Sequence, residues 1–376
     1  MARKIFMAIE SNPVTQVVVP FKLTPLNVFK EALRISPAAP LSGEWRAALA
    51  EGGVAKQRAL AELALGSALF GLTASWAISG HISGNGPVDP NKRRAMVAAG
   101  WQPYSIKIDD KWYSYQRIQP LGMVVGAAAD AATIAAESTT ETGGKLAQMG
   151  AAMFANAVTN ATFLQGLTQL NEVISDPQRH GPKFVNSLVT MPIPGALKQT
   201  AQVFDPYMRE VNSIGEAVRN AIPGVREGLT PTRDIFGEPQ ANTANITGIK
   251  VSTESGDPVR KEAARLGVGA PEAPKSITVA GAKFGRQLSQ KELTAEQRDI
   301  FGAEAGHLAH QILTPMVTSP GWAYMPDAVK VMAFKQVFEK ANAFGKFKAL
   351  SADERQVEVE RITSEIAKRL APPAAP

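Results

Sequence analysis

The residues of this chain with the clearest claim to chemistry are Glu304, His307 and His310, spaced E-x-x-H-x-x-H in a stretch whose pattern predicts a helix. Residues three apart share a helical face. A zinc hydrolase, however, sets its histidines four apart with a glutamate between them, and that glutamate is missing. His81 and His180 lie in Gly/Pro-rich stretches with no serine or carboxylate at an instructive spacing, and surface positions are expected for them. The glycine-rich run from Gly80 through Gly84, Asn85 and Gly86 to Pro87 has no strand before it and no Lys-Ser/Thr after it, so it matches neither a phosphate loop nor a dinucleotide fingerprint. It reads as a tight turn that ends a helix. The basic trio Lys92, Arg93 and Arg94 follows and is a candidate contact for phosphate or an anionic headgroup. The adjacent carboxylates Asp109-Asp110 and Asp353-Glu354 suit a turn and a helix start, not an acid/base pair. With no cysteine in 376 residues, disulfides, thiolate zinc sites, iron-sulfur clusters and a cysteine nucleophile are all excluded. No catalytic group, metal or cofactor is expected.

The elements that would position these residues are mainly helical. The chain is 45% hydrophobic and 20% charged, too apolar for general disorder, and its +6 charge is a mild bias spread over the whole length. A secretory signal is not expected in residues 1–20, which lack a small-residue cleavage site behind an apolar run. Residues 63–88 carry no formal charge, and the apolar part, 63–78, is about 16 residues, short of the ~20 that cross a bilayer core. Ala64, Ser67, Ala68, Gly71 and Ser75 recur there at the spacing of closely approaching helices. A buried core helix and a membrane-contacting one both fit. Residues 121–170 have only Asp130, Glu137, Glu141 and Lys145 as charges and predict two or three Ala-rich helices, with a break at TTETGG, 139–144.

Between these helices, alternation at 105–108 and 112–116 around Asp109-Asp110 predicts an aromatic β-hairpin near 101–117, the only clear one in the chain. Its aromatic residues could stack bases, sit at a bilayer interface or cover one face packed on helices, and the last is the expectation. From 176 to 274 prolines recur, so helices should be short, with one over 212–221, and residues 242–274 read as an extended connector that wraps without packing. Regular helices return after Thr294 and Gln297, which form a capping box, after Pro326, and after Ser351 with Glu354. The last helix aligns Val359, Ile362, Ile366 and Leu370 on one stripe. The expected fold is mainly α: an Ala/Gly-rich helical bundle with one small aromatic hairpin over 1–175, a Pro/Gly-punctuated middle over 176–290, and a C-terminal helical subdomain over 291–376.

Several short runs appear together in a familiar order: FKLTPLN at 21–27, ISGNGP at 82–87, GWQPYSI at 100–106, WYSY at 112–115, FDPY at 204–207, AIPG at 221–224 and Phe236-Gly237. In this the chain resembles the C-terminal helical region of large polyvalent phage and prophage proteins, which include internal virion proteins that tailed phages eject with their DNA. In longer members this region follows enzymatic domains, and no catalytic residue carries over to the residues present here. The resemblance implies a structural role in the virion interior and then at the host envelope, with other virion proteins, further copies of the chain, host membrane and DNA in transit as partners.

Two functions are therefore expected in competition. In one, the chain contributes to a DNA conduit, with Leu65, Leu69, Phe70, Leu72, Trp76 and Ile78 touching lipid or neighbouring subunits and Lys92, Arg93 and Arg94 on the anionic side. In the other, the same apolar helices form an ordinary core and the chain is a soluble scaffold or docking module. An enzyme has no motif behind it.

Overall fold

A computed structural model of the chain describes residues 30–87, 89–118, 120–137, 195–211, 213–243, 249–280 and 288–370. The motif at 21–27, the break at 139–144, the Ala-rich residues up to 170 and His180 lie outside the described residues. The fold is mainly α, with two small antiparallel sheets.

Helices α1 (Gly43–Glu51) and α2 (Gly53–Ile78) are separated by Gly52 and Gly53, whose φ angles of 79° and 52° turn the chain between them. The Trp45 indole then donates to the Ala59 carbonyl at 3.2 Å and pins α1 back against α2. Asp89 caps α3 (Pro90–Ala98) by accepting from the Asn91 amide, with Pro90 at the first helical position. The hairpin forms as expected: β1 (Ser105–Ile108) pairs with β2 (Lys111–Ser114), with Ser105 opposite Ser114, and Asp109 supplies the turn at φ 54°. Trp112, Tyr104 and Tyr115 are buried, so the hairpin's aromatics face protein. Helix α4 (Leu121–Glu137) follows and packs along α2.

Two expectations need correction. Residues 242–274 are not a bare connector. Val251–Thr253 forms β3 on the free edge of β2, and Pro258–Leu266 forms α7, which packs Val259 and Ala263 into the main core. Asp257 caps α7, Pro258 occupies its first turn, and Gly267 ends it at φ 66°, so every boundary signal was local but short. The aromatic hairpin is also not alone: β4 (Ser276–Ala280) pairs with β5 (Leu288–Glu292) and buries Ile277 and Val279 against Leu293 and Leu350. The main core draws on all three stretches of the chain. Ala95 of α3, Phe236 of the middle and Phe334 of the C-terminal helices share one core cluster.

That core is built on two long antiparallel-type partners. Helix α8 (Ala295–Val317) starts at the Thr294/Gln297 capping box, and α9 (Asp327–Ala349) follows the turn Trp322–Tyr324. Leu313, Phe334 and Phe338 are buried between them. Helix α5 (Gly195–Phe204) leads into a strap, residues 205–242, that contains helix α6 (Ile214–Asn220) and lies across this pair. The strap has no long strand. It folds on itself through single bridges, Tyr207 to Ala241, Arg209 to Pro231 and Arg233 to Pro239. Phe236 plugs it into the core beside Phe338 and His310. A Cβ on Gly306 would overlap the backbone of Phe236 and Gly237, so glycine there lets strap and helix touch. The last helix, α10 (Ala352–Leu370), begins at Ser351, whose hydroxyl and amide both donate to Glu354.

Candidate membrane and subunit contact face

Helix α2 is 26 residues long, about 39 Å, and carries an 18-residue window of mean hydropathy 1.3. By length and composition it reaches the range that crosses a bilayer. Its two faces differ in kind. The inward face is narrow: Ala59, Gly66 and Thr73 are buried, and Leu69 and Phe70 pack half-buried on Ala32, Met123 and Val124. Gly66 is required there, because a Cβ would overlap the Ile35 carbonyl. The outward face holds the large apolar side chains. Leu65 is 73% exposed, Leu72 64%, Trp76 55% and Ile78 73%. The six expected contact residues thus divide, with Leu69 and Phe70 turned into the protein and Leu65, Leu72, Trp76 and Ile78 turned away from it.

The small residues also fall outward. Ala64, Ser67, Ala68, Gly71 and Ser75 are all exposed, and Gly71 has open space where a side chain would be. They form a shallow lane flanked by Leu65, Leu72 and Trp76, a surface that another apolar helix or lipid chains can approach closely. No charge interrupts it between Glu62 and the helix end, while Lys56 and Arg58 sit exposed on the preceding turns.

The loop that follows α2 is held by a buried acid. Asp130 of α4 is 4% exposed and accepts from the Asn85 amide at 2.5 Å and from the Tyr104 hydroxyl at 3.3 Å. Gly84 lies so close to this carboxylate that no side chain fits. Burial pushes the Asp130 carboxyl up to about 6, against the lowering effect of the Asn85 and Tyr104 bonds and the nearby Arg93 charge. Beside it, the Ser83 hydroxyl donates to the Gln102 carbonyl at 2.6 Å and the Tyr115 hydroxyl donates to the Ser83 carbonyl at 2.6 Å. The glycine-rich run is therefore a structural joint between α2, the hairpin and α4.

The basic trio is largely committed to internal contacts. Arg94 pairs with Glu272 at 3.1 Å and donates to the Ala270 carbonyl, Arg93 donates to Asn85, and the Lys92 stem lies against Gly267. Arg93 and Arg94 line a cleft of about 460 Å³ together with Arg233 and Arg298. Four guanidinium groups would suit an anion, but Arg233 pairs with Asp299 at 2.5 Å and Arg298 with Glu210 at 3.3 Å, so the cleft is a seam of ion pairs. The histidines have similar uses. His310 meets Asp257 at 2.5 Å and His307 meets Glu238 at 3.4 Å, while Glu304 turns to Lys348. Among the described residues no cluster of three or more histidines and carboxylates is arranged to hold a metal ion.

The strap is tied by a triad the sequence did not single out. The Asp205 carboxylate is fully buried and accepts from Arg209 at 2.8 and 2.9 Å, from Arg226 at 2.7 Å and from the Tyr207 amide at 3.1 Å. Burial alone would raise its pKa, but these donors outweigh it and hold the group down at about 2. No family model, curated protein or solved structure matches this chain.

Proposed function

We propose that this chain is a structural protein of the internal-virion type whose α2 face meets the host membrane and neighbouring copies while DNA crosses the envelope. The observation that carries the reading is the outward half of α2. An isolated exposed leucine is ordinary on a protein surface, whereas Leu65, Leu72 and Trp76 recur at i, i+7 and i+11 as one uncharged, exposed stripe, with Ile78 exposed at the helix end. One face of α2 is built into the protein, so the contact suits a helix seated along or obliquely in the lipid surface, with Lys56 and Arg58 at its charged end. The order of short runs from the 82–87 loop to Phe236-Gly237 supports the phage-type context. The chain carries no catalytic role in this reading.

The reading is tested by flotation of the purified chain with anionic and neutral liposomes at low and high salt. Salt-resistant co-flotation is expected, and Leu65→Asp with Leu72→Asp should remove it. Both positions are exposed, so the double variant keeps its fold. A wild-type chain that stays at the bottom of the gradient favours the alternative, a soluble scaffold or docking module, for which the ion-paired strap is the supporting feature. Binding that disappears at high salt reduces the contact to electrostatics.

A further inference from the structure

At the joint behind α2 a buried acid, a close backbone approach and a strained residue coincide. Asp130 accepts from the Asn85 amide and the Tyr104 hydroxyl, and the Gly84 backbone lies so near that a Cβ there would overlap the carboxylate. Tyr104 is buried with φ at 51°, a left-handed conformation that a bulky residue adopts only when its surroundings force it. Its amide donates to the Gly84 carbonyl at 3.0 Å, and its carbonyl accepts from the Tyr115 amide at 3.0 Å. The loop that these bonds hold is the direct continuation of α2, whose Ala77 packs in the same cluster as Tyr104, Tyr115 and Ala129. What holds the loop therefore holds the end of the helix.

The charge state of Asp130 decides how firmly the joint closes. The groups that face it are Tyr104 and Tyr115 from the hairpin, Arg93 from α3 and the Asn85 amide from the loop, while α2 brings Ala77 and α4 itself surrounds it with alanines. The Arg93 guanidinium is bonded to the Asn85 side chain at 3.0 Å, so its charge acts on the carboxylate without a direct pair. His81, on the same loop, is exposed and meets the Ser79 hydroxyl instead. Two donors and one cation engaged elsewhere do not make up for removing a carboxylate from water, and the neutral acid is the form this site prefers. We propose that Asp130 is a proton-operated latch: protonated, it holds the loop and the end of α2 against α4 and the hairpin, and when its proton passes to solvent the joint opens while the α8–α9 core stays folded. Opening gives the carboxylate water, relieves Tyr104 and frees the end of α2 that carries Leu72, Trp76 and Ile78. The latch does not rest on the membrane reading, although it would set when that face is free to move.

The experiment is amide hydrogen exchange of the full chain, read by mass spectrometry without lipid and corrected for the intrinsic rate at each pH. With the carboxyl at about 6 when closed and near 3.8 when open, the opening equilibrium of residues 80–87 should rise about tenfold from pH ~5 to pH ~8 and level off above pH ~7. At pH 8 these amides should also exchange faster than those around Leu313 and Phe334 in the α8–α9 core. Asp130→Asn keeps a neutral side chain at every pH, so its opening should stay flat. Tyr104→Phe keeps the ring and removes one donor to the carboxylate, and it should raise opening more at pH 8 than at pH 5, which reads the latch even where the asparagine variant folds poorly. His81→Gln should leave the wild-type profile in place. A flat wild-type profile, a pH dependence that survives Asp130→Asn or disappears in His81→Gln, or a joint and core that exchange at one common rate would overturn the proposal. Because no liposome enters the measurement, a chain that fails to float with lipid leaves this result distinct.

Discussion

Helices α2 and α9 are 26 and 23 residues long and relate to the protein interior in opposite ways. From Phe334 onward α9 turns Phe334, Val337, Phe338 and Ala341 inward, and Lys335, Glu339 and Lys340 outward. In α2 the fully buried residues are Ala59, Gly66 and Thr73, Leu69 and Phe70 are half-buried, and Leu65, Leu72, Trp76 and Ile78 face away. Helix α9 closes a core. Helix α2 is anchored by small residues that permit close approach, and this leaves much of its hydrophobic bulk exposed. Hydrophobicity alone does not separate the two, because the decisive property is which face carries the volume.

Four changes test how closed one region is and how open the other. The largest effect is expected for Phe236→Ala, which empties the position where the strap plugs into α8 and α9. A loss of about 3–5 kcal/mol should appear in denaturant unfolding. Next is Asp205→Ala, which strands two buried guanidinium groups and should cost about 3 kcal/mol or more. The same carboxylate sets a pH dependence. Its folded pKa lies near 2, below the ordinary 3.8, so its contribution is present above pH ~4 and fades as pH falls toward 2, about 2 kcal/mol in all. Acid titration of wild type against the variant reads that slope.

Asp130 has the opposite sign. Its folded pKa of about 6 lies above 3.8, so the fold is favoured below pH ~4 and loses that stabilisation as pH rises through 6. Asp130→Asn should flatten the stability profile between these values and raise the unfolding midpoint at pH 8, by about 1–2 kcal/mol. A profile unchanged by the substitution would mean that the joint behind α2 does not sense protons. The smallest effect on folding is expected on the open face: Leu65→Asp with Leu72→Asp should shift stability by no more than about 0.5 kcal/mol. A large loss there would show that the outward stripe contributes to the core after all.

What the sequence made legible follows from how local each signal is. The capping box at Thr294 and Gln297, the cap at Ser351 and Glu354, and the hairpin turn at Asp109 each depend on residues a few positions apart, and all three form. The alternation of the hairpin also announced a buried aromatic face. The strap was not legible, because what orders it is distant: Asp205 reaches Arg226, and Phe236 fits against His310 and Phe338. Helix α7 was hidden by its proline-rich surroundings, although Asp257-Pro258 and Gly267 mark both ends. On α2 the composition pointed to six residues without dividing them, since only the position of α4 decides that Leu69 faces inward and Leu65 does not. An acid in the middle of an Ala-rich helix, Asp130, was the one available sign of the joint behind the loop.

The most direct measurement places an environment-sensitive fluorophore on Ala68→Cys, in the exposed small-residue lane of α2, and on Lys340→Cys, outward on α9, and adds liposomes carrying a lipid-attached quencher. The account expects the label at 68 to shift to the blue and be quenched while the label at 340 stays in water. A label at 68 that ignores the liposomes, or equal quenching at both positions, would contradict a lipid-facing role for α2.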